Sequence, residues 1–128
     1  AGQSFAERLE TIFDEAQRLI ELHRPDAVVI ERLYFKQNVT TGIAVAQARG
    51  VLALAAAKAG RPIAELSPTE AKTALTGYGR ADKRQMQDMI KLLLNLDAVP
   101  RPDDAADALA LAICQVQAGR IQQYANQA

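Results

Sequence analysis

The sequence predicts an α/β protein, and three features carry that expectation. Ala27-Val28-Val29-Ile30 is a short apolar run without alternation, as in a parallel strand covered on both faces. A second short strand is expected at Ile63 to Leu66, after Pro62, with a run of helix formers between the two. That order, strand, helix, strand, implies a right-handed parallel crossover. Amphipathic segments before and after it supply the flanking helices.

The first element opens at Ser4-Phe5-Ala6-Glu7, a capping box in which serine and glutamate satisfy each other's backbone donors. Phe5, Leu9, Ile12, Phe13, Ala16, Leu19 and Ile20 then recur at helical spacing, and Pro25 ends the pattern. His23 falls at that helix end, where a cation is favourable, so a capping role outweighs a ligand role. Glu31 ends the first strand. In open α/β sheets ligands gather beyond the carboxyl ends of the strands, although a solvated glutamate would look the same.

A helix is expected from Thr40 to Ala59, and Gly42, Ala44, Ala46, Ala48, Gly50 and Ala53 make it slim. Tight packing on the sheet, or on a twin helix in a dimer, would each explain glycines that otherwise cost stability there. Ser67-Pro68-Thr69-Glu70 joins a capping box to proline at the first helical position, and the helix it starts stops near Gly77. The loop Gly77-Tyr78-Gly79-Arg80 leads into a helix with Met86, Met89, Ile90, Leu93 and Leu94 on one stripe. After a loop from Leu96 to Pro102, Asp103 or Asp104 is expected to cap a last helix with Ala105, Leu109, Ala112, Ile113 and Val116 facing inward.

With 128 residues, 49% hydrophobic and 23% charged, the chain is expected to form a single domain over residues 1–128 with its own core. No apolar run approaches the ~20 residues that a bilayer needs. The amino end enters a polar helix instead of a signal sequence, so a cytoplasmic location is expected. Cys114, the single cysteine, sits in an apolar stretch and reads as a buried inert thiol. Net charge is zero but segregated. Residues 1–31 carry seven acids and three bases, residues 32–101 five and eleven, and residues 102–128 three and one. A basic middle between acidic ends suits a protein that grips phosphates with one surface and holds cations with another.

Two features bear on chemistry. Asp104-Ala-Ala-Asp107 puts two carboxylates on one helix face, close enough to share a cation. Acids in a first helical turn also complement the macrodipole with no metal present, and a third acid such as Glu31 would be needed to favour the metal. Lys72 and Lys83 flank Gly77-Tyr78-Gly79, with Arg80 and Arg84 beside them. Glycines let a loop approach a phosphate backbone, and an ordinary turn between helices would use them equally.

Ile30-Glu31-Arg32-Leu33-Tyr34-Phe35, then Gln47-Ala48-Arg49-Gly50, then the Lys72, Gly77, Gly79, Lys83 spacing, then Asp104-Ala-Ala-Asp107-Ala-Leu-Ala together resemble the RuvC family of Holliday-junction resolvases. The resemblance implies a ribonuclease-H-like sheet flanked by helices, a homodimer, and metal-dependent cleavage of four-way junction DNA in recombination and repair. It implies that Glu31, Asp104 and Asp107 bind Mg²⁺ or Mn²⁺, two ions per complete site, and that Lys72 and Lys83 act near the scissile phosphate or on the DNA backbone. Tyr34 or Phe35 falls where the family places an aromatic against the bases. The junction-binding and branch-migration motor proteins of the Ruv system are the partners so implied. Family members open with a strand bearing Asp-Pro-Gly and then two more, whereas this sequence begins Ala1-Gly2-Gln3 and enters a helix. The expectation is therefore a family fold without its N-terminal strands, a short parallel sheet with about five helices, and weak or no cleavage by this chain alone. A non-catalytic junction-binding or dimerisation fragment is the alternative. A phosphotransferase of the actin-like kind lacks the glycine loop it would need.

Overall fold

The computed structural model describes residues 2–32 and 39–127. Tyr34 and Phe35 lie outside the described residues. In order, the elements are α1 (Phe5–His23), β1 (Val28–Glu31), α2 (Val39–Lys58), β2 (Ile63–Leu66), α3 (Pro68–Thr76), α4 (Lys83–Leu94) and α5 (Asp103–Gln127). Among the described residues these are five helices and one two-stranded parallel sheet, and no helix is long and apolar enough to cross a membrane. Two compact units result, Ala1–Glu65 and Leu66–Ala128.

In the first unit α1 starts where its cap requires. Ser4 Oγ accepts from the Glu7 amide at 3.1 Å, while the Glu7 carboxylate meets the serine hydroxyl instead of the backbone. Arg24 ends the helix in the left-handed conformation, its N–H donating to the Ile20 carbonyl at 2.8 Å. The apolar stripe of α1 runs along α2, but only Leu9, Ile12, Phe13, Ala16 and Ile20 are half-buried, whereas Phe5 and Leu19 are exposed. The Val28 N–H donates to the Pro62 carbonyl at 3.0 Å, which sets the two strands side by side. Ile30 is buried and Val28 and Val29 are half-buried, so β1 is less covered than its composition suggests. On α2 the buried positions are Ala55 and Ala56, and a side chain added at Gly50 would meet nothing.

The second unit is a three-helix packing of α3, α4 and α5. Ser67, itself buried, accepts from the Glu70 amide at 3.1 Å and its N–H donates back to Glu70 at 3.3 Å. Gly77 closes α3 at φ 77°, a conformation in which a Cβ is strained. Gly79 has a different reason: a Cβ there would lie 3.1 Å from Thr73 Oγ1 and 3.3 Å from Thr69 Cγ2. Both glycines thus serve the turn between helices. Leu75, Met86 and Ile90 are buried with Ala71, Ala81, Ala106, Ala110, Leu111 and Cys114.

Two faces depart from expectation. Leu93 and Leu94 are exposed although the stripe includes them. Among the described side chains of α5, Ala106, Ala110, Leu111 and Cys114 are buried, Ala105, Leu109 and Ile113 half-buried, and Ala112 and Val116 exposed. The face is rotated so that the small Ala106, Ala110 and Cys114 are buried together with Leu111, and the Cys114 thiol reaches the Ala71 carbonyl of α3 at 3.8 Å. Burial also pushes that thiol above its ordinary pKa, which suits an unreactive cysteine.

Ile90 has no exposed surface and Leu92 is 74% exposed. In urea unfolding, Ile90→Ala is expected to cost about 3 kcal/mol, and Leu92→Ala less than about 0.5 kcal/mol. Equal losses at both positions would contradict this packing.

Candidate active site

Two helix starts shape the acidic surface of the second unit. Asp82 accepts from the Gln85 amide at 2.8 Å and the Gln85 side chain accepts from the Asp82 amide at 2.9 Å, so α4 begins at Lys83. The Pro102 carbonyl accepts from Ala105 at 3.0 Å and Ala106 at 3.4 Å, so α5 begins at Asp103. Asp103 and Asp104 therefore stand inside the first turn of α5, not at the cap expected for one of them. The macrodipole favours carboxylates there.

Lys83 Nζ donates to Asp103 Oδ2 at 3.0 Å and Gln87 Nε2 donates to Asp103 Oδ1 at 3.0 Å. Both oxygens of Asp103 are thereby engaged from one face of α4. The hydrogen bond and charge of Asp103 hold the Lys83 ammonium above its ordinary pKa, against a smaller opposing effect of desolvation, and Asp107 and Asp104 add to the rise by charge alone. The structure thus brings Lys83 together with the Asp104/Asp107 pair through electrostatics, and with Asp103 by contact. Asp103 was expected only as a possible helix cap; its pairing with Lys83 was not legible, because nothing in a spacing of twenty residues marks it. Gln87, four residues after Lys83, carried a signal, since the two share a helix face.

Asp104 and Asp107 are exposed and present hard oxygen donors. Among the described residues no three His, Cys, Asp or Glu side chains gather into a group able to hold a metal ion. That does not conflict with the donor chemistry. Mg²⁺ is commonly held by one or two carboxylates together with water and substrate phosphate, not by a complete protein cage.

In the first unit Glu31 is the exposed last residue of β1. Its carbonyl accepts from Arg49 Nε at 3.3 Å, and the other arm of that guanidinium pairs with the Glu65 carboxylate. Arg32 reaches the same carboxylate at 3.9 Å and donates to the Glu65 carbonyl at 3.4 Å. The sequence reading placed Arg49 in a motif without giving it a task, and it passed over Glu65.

The expected DNA-binding residues are distributed unevenly. Lys72 is half-buried on α3, Arg80 is exposed in the loop, and Arg84 is exposed but paired with Asp88 at 3.0 Å on its own helix. A phosphate contact by Arg84 must compete with that pair.

Asp103→Asn is expected to lower the pH at which Lys83 releases its proton, because the neutral amide removes the charge that favours the ammonium. Lysine side-chain NMR titration reads this directly. The unfolding midpoint should barely move, since an exposed ion pair contributes little. An unchanged titration would mean that Asp103 does not hold Lys83.

The chain matches, over residues 1–115, the family model described as crossover junction endodeoxyribonuclease RuvC. It is 55% identical over 118 residues to the protein of that name from Roseiflexus sp. (strain RS-1), covering 92% of this chain and 70% of the relative. It is 52% identical to the one from Heliobacterium modesticaldum, covering 89% and 70%. A Thermus thermophilus RuvC structure in complex with Holliday junction substrate superposes with a TM-score of 0.89 at 32% identity, covering 94% of this chain and 73% of that one. A second Thermus thermophilus RuvC structure gives 0.86, also at 32%, covering 94% and 72%. On these matches the chain belongs to the RuvC family of crossover junction endodeoxyribonucleases.

Proposed function

We propose that Glu31, Asp104 and Asp107 are the metal-binding carboxylates with which this crossover junction endodeoxyribonuclease resolves four-way DNA junctions, and that Lys83 faces the scissile phosphate. One observation carries the reading. Lys83 sits beside the first turn of α5 with its charge reinforced by Asp103, Asp107 and Asp104. A positive group and an acidic pair on one surface are what phosphodiester hydrolysis asks for: donors to gather cations and a fixed charge for the phosphorane oxygens.

The cations would be Mg²⁺ or Mn²⁺, two in a complete site. When bound, such ions ease deprotonation of the attacking water and stabilise the leaving 3′ oxygen. The protein's own part is positional. Glu31 closes a strand, and Asp104 and Asp107 share one face of α5, so each of these backbones is fixed by its own secondary structure. Asp103, itself held by Gln87, accepts from the Lys83 ammonium and so orients it before substrate arrives.

The Thermus thermophilus protein was solved with a Holliday junction substrate, and the same partner is proposed here. Lys72, Arg80, Lys83 and Arg84 would meet the phosphate backbone, and Tyr34 or Phe35 would stack on bases at the crossover. A homodimer would present paired sites to equivalent strands. Ile43 and Leu54, exposed on α2 on either side of open Gly50, support that assembly. Residues 1–128 are read as one nuclease domain that acts in the cytoplasm, with the junction-binding and motor proteins of the Ruv system as further partners.

The test is cleavage of a synthetic four-way junction in Mg²⁺ or Mn²⁺. Asp104→Asn and Asp107→Asn are each expected to weaken Mn²⁺ binding and to abolish whatever symmetric nicking the parent shows, while junction binding in EDTA is retained. Lys83→Ala should slow single-turnover cleavage by about a hundredfold and leave Mn²⁺ binding in place. Asparagine variants that bind Mn²⁺ like the parent would refute the assignment. For Arg80→Ala, the expected change is in the salt dependence of junction binding, a log–log slope smaller by about one; an unchanged slope would remove Arg80 from the contact surface.

A further inference from the structure

We propose that Arg49 is a positioning residue for Glu31, held to that task by Glu65. The proposal rests on the assignment of Glu31 as a metal-binding carboxylate.

Glu31 ends a strand of four residues whose side chain is exposed at its last position. A strand end is where backbone order is weakest, because the ladder stops there. Here an arginine from α2 adds a donor at that end: Arg49 Nε donates to the Glu31 carbonyl at 3.3 Å. Fixing that carbonyl restricts the rotation of the backbone at Glu31, and with it the arc that the carboxylate can sweep.

Arg49 can do this because it is anchored itself. Its Nη2 pairs with Glu65 Oε1 on β2, and its side chain is only 25% exposed. The second oxygen of Glu65 lies 3.9 Å from Arg32 Nε, and Arg32 Nη2 donates to the Glu65 carbonyl at 3.4 Å. One carboxylate and two guanidiniums therefore tie β1, β2 and α2 together at the carboxyl end of the strands. The residue types are specific. A planar guanidinium donates in two divergent directions at once, whereas a lysine is a single point charge that cannot hold a carbonyl and a carboxylate in fixed relative geometry.

The consequence is a separable effect on cation affinity. Without the bracket, Glu31 is still present but less well aimed, so the protein should fold and bind junctions yet hold divalent ions more weakly.

The experiment measures Mn²⁺ binding from the electron paramagnetic resonance signal of the free ion, alongside the Mg²⁺ dependence of single-turnover junction cleavage and junction binding in EDTA. Arg49→Ala is expected to raise the Mn²⁺ dissociation constant about tenfold, the usual scale for loss of a group that orients a ligand. The Mg²⁺ requirement should rise in parallel, with junction binding unchanged. Arg49→Lys should not rescue, and Glu65→Gln should shift both readings in the same direction. Rescue by lysine, or unaltered Mn²⁺ affinity in the folded variants, would overturn the proposal. Should Arg49→Ala fail to fold, Arg49→Lys and Glu65→Gln decide by the same criterion. Glu31→Gln separates the two levels of the argument. If it leaves Mn²⁺ affinity and cleavage intact, the assignment of Glu31 fails and the bracket fails with it. If it destroys both while the Arg49 and Glu65 variants behave as parent, only the bracket fails.

Discussion

The alanines of α5 decide where its acids stand. Ala106, Ala110 and Cys114 recur every fourth residue and are buried, with the Cys114 thiol against the Ala71 carbonyl of α3. Small side chains allow helices to approach closely, and a close approach admits little rotation about the helix axis. Followed one turn toward the amino end from Ala106, the same side of α5 passes Asp103. There the neighbour is no longer the apolar part of the helix packing but the first turn of α4, with Lys83 and Gln87 on Asp103. One helix face is thus core at one end and polar surface at the other. Carboxylates placed a turn or two further in would lose their hydration and need partners that the alanines cannot supply.

A different device governs the first unit. Parallel strands finish at the same edge, so acids at their ends are brought near one another whatever their purpose. Glu31 closes β1 and Glu65 is the penultimate residue of β2. Two carboxylates in that position need cations nearby, and Arg49 and Arg32 provide them from α2 and from the residue following β1. The arginines also reach the carbonyls of both acids. Charge compensation and backbone restraint are accomplished by the same side chains.

The parts of this arrangement legible in the sequence are those encoded locally. Ser67-Pro68-Thr69-Glu70 starts α3 as written, Gly77 ends it, and the β-branched run stops at Glu31, because caps and breakers act within four residues. The facing of α5 was not legible. Nearly every position between Asp104 and Ala112 is alanine, leucine or aspartate, and alanine sits equally well inside or outside, so periodicity has no contrast to report. Ala112 and Val116 were expected inward and are exposed for that reason. The Asp82–Gln85 box at the start of α4 was also passed over, since its cap is an aspartate and its partner a glutamine. Asp103 on Lys83 and Glu65 on Arg49 join residues twenty and sixteen apart, beyond the reach of any helical or strand repeat. Asp104 and Asp107 could be singled out because they share a helix face, and Glu31 because strand ends collect ligands. The common role proposed for them rests on the order of motifs along the chain, not on local chemistry.

On the proposed assignment, the charge segregation of the sequence acquires a physical purpose. A phosphodiester approaching Asp103, Asp104 and Asp107 meets three acids within five residues. Lys83 compensates one of them by direct contact and the others only at a distance. The local surface still repels phosphate, so a substrate held there requires additional positive charge and a grip made elsewhere. Divalent cations are the compact source of the first, and bases of the segment from residue 32 to residue 101 that are not engaged with acids, such as Arg80, are candidates for the second. A site built only from lysines and arginines would bind DNA more tightly and would have nothing to gather cations with. The acids cost affinity for the backbone so that binding and cleavage depend on different groups, which is why substitutions in one set should leave the other measurable.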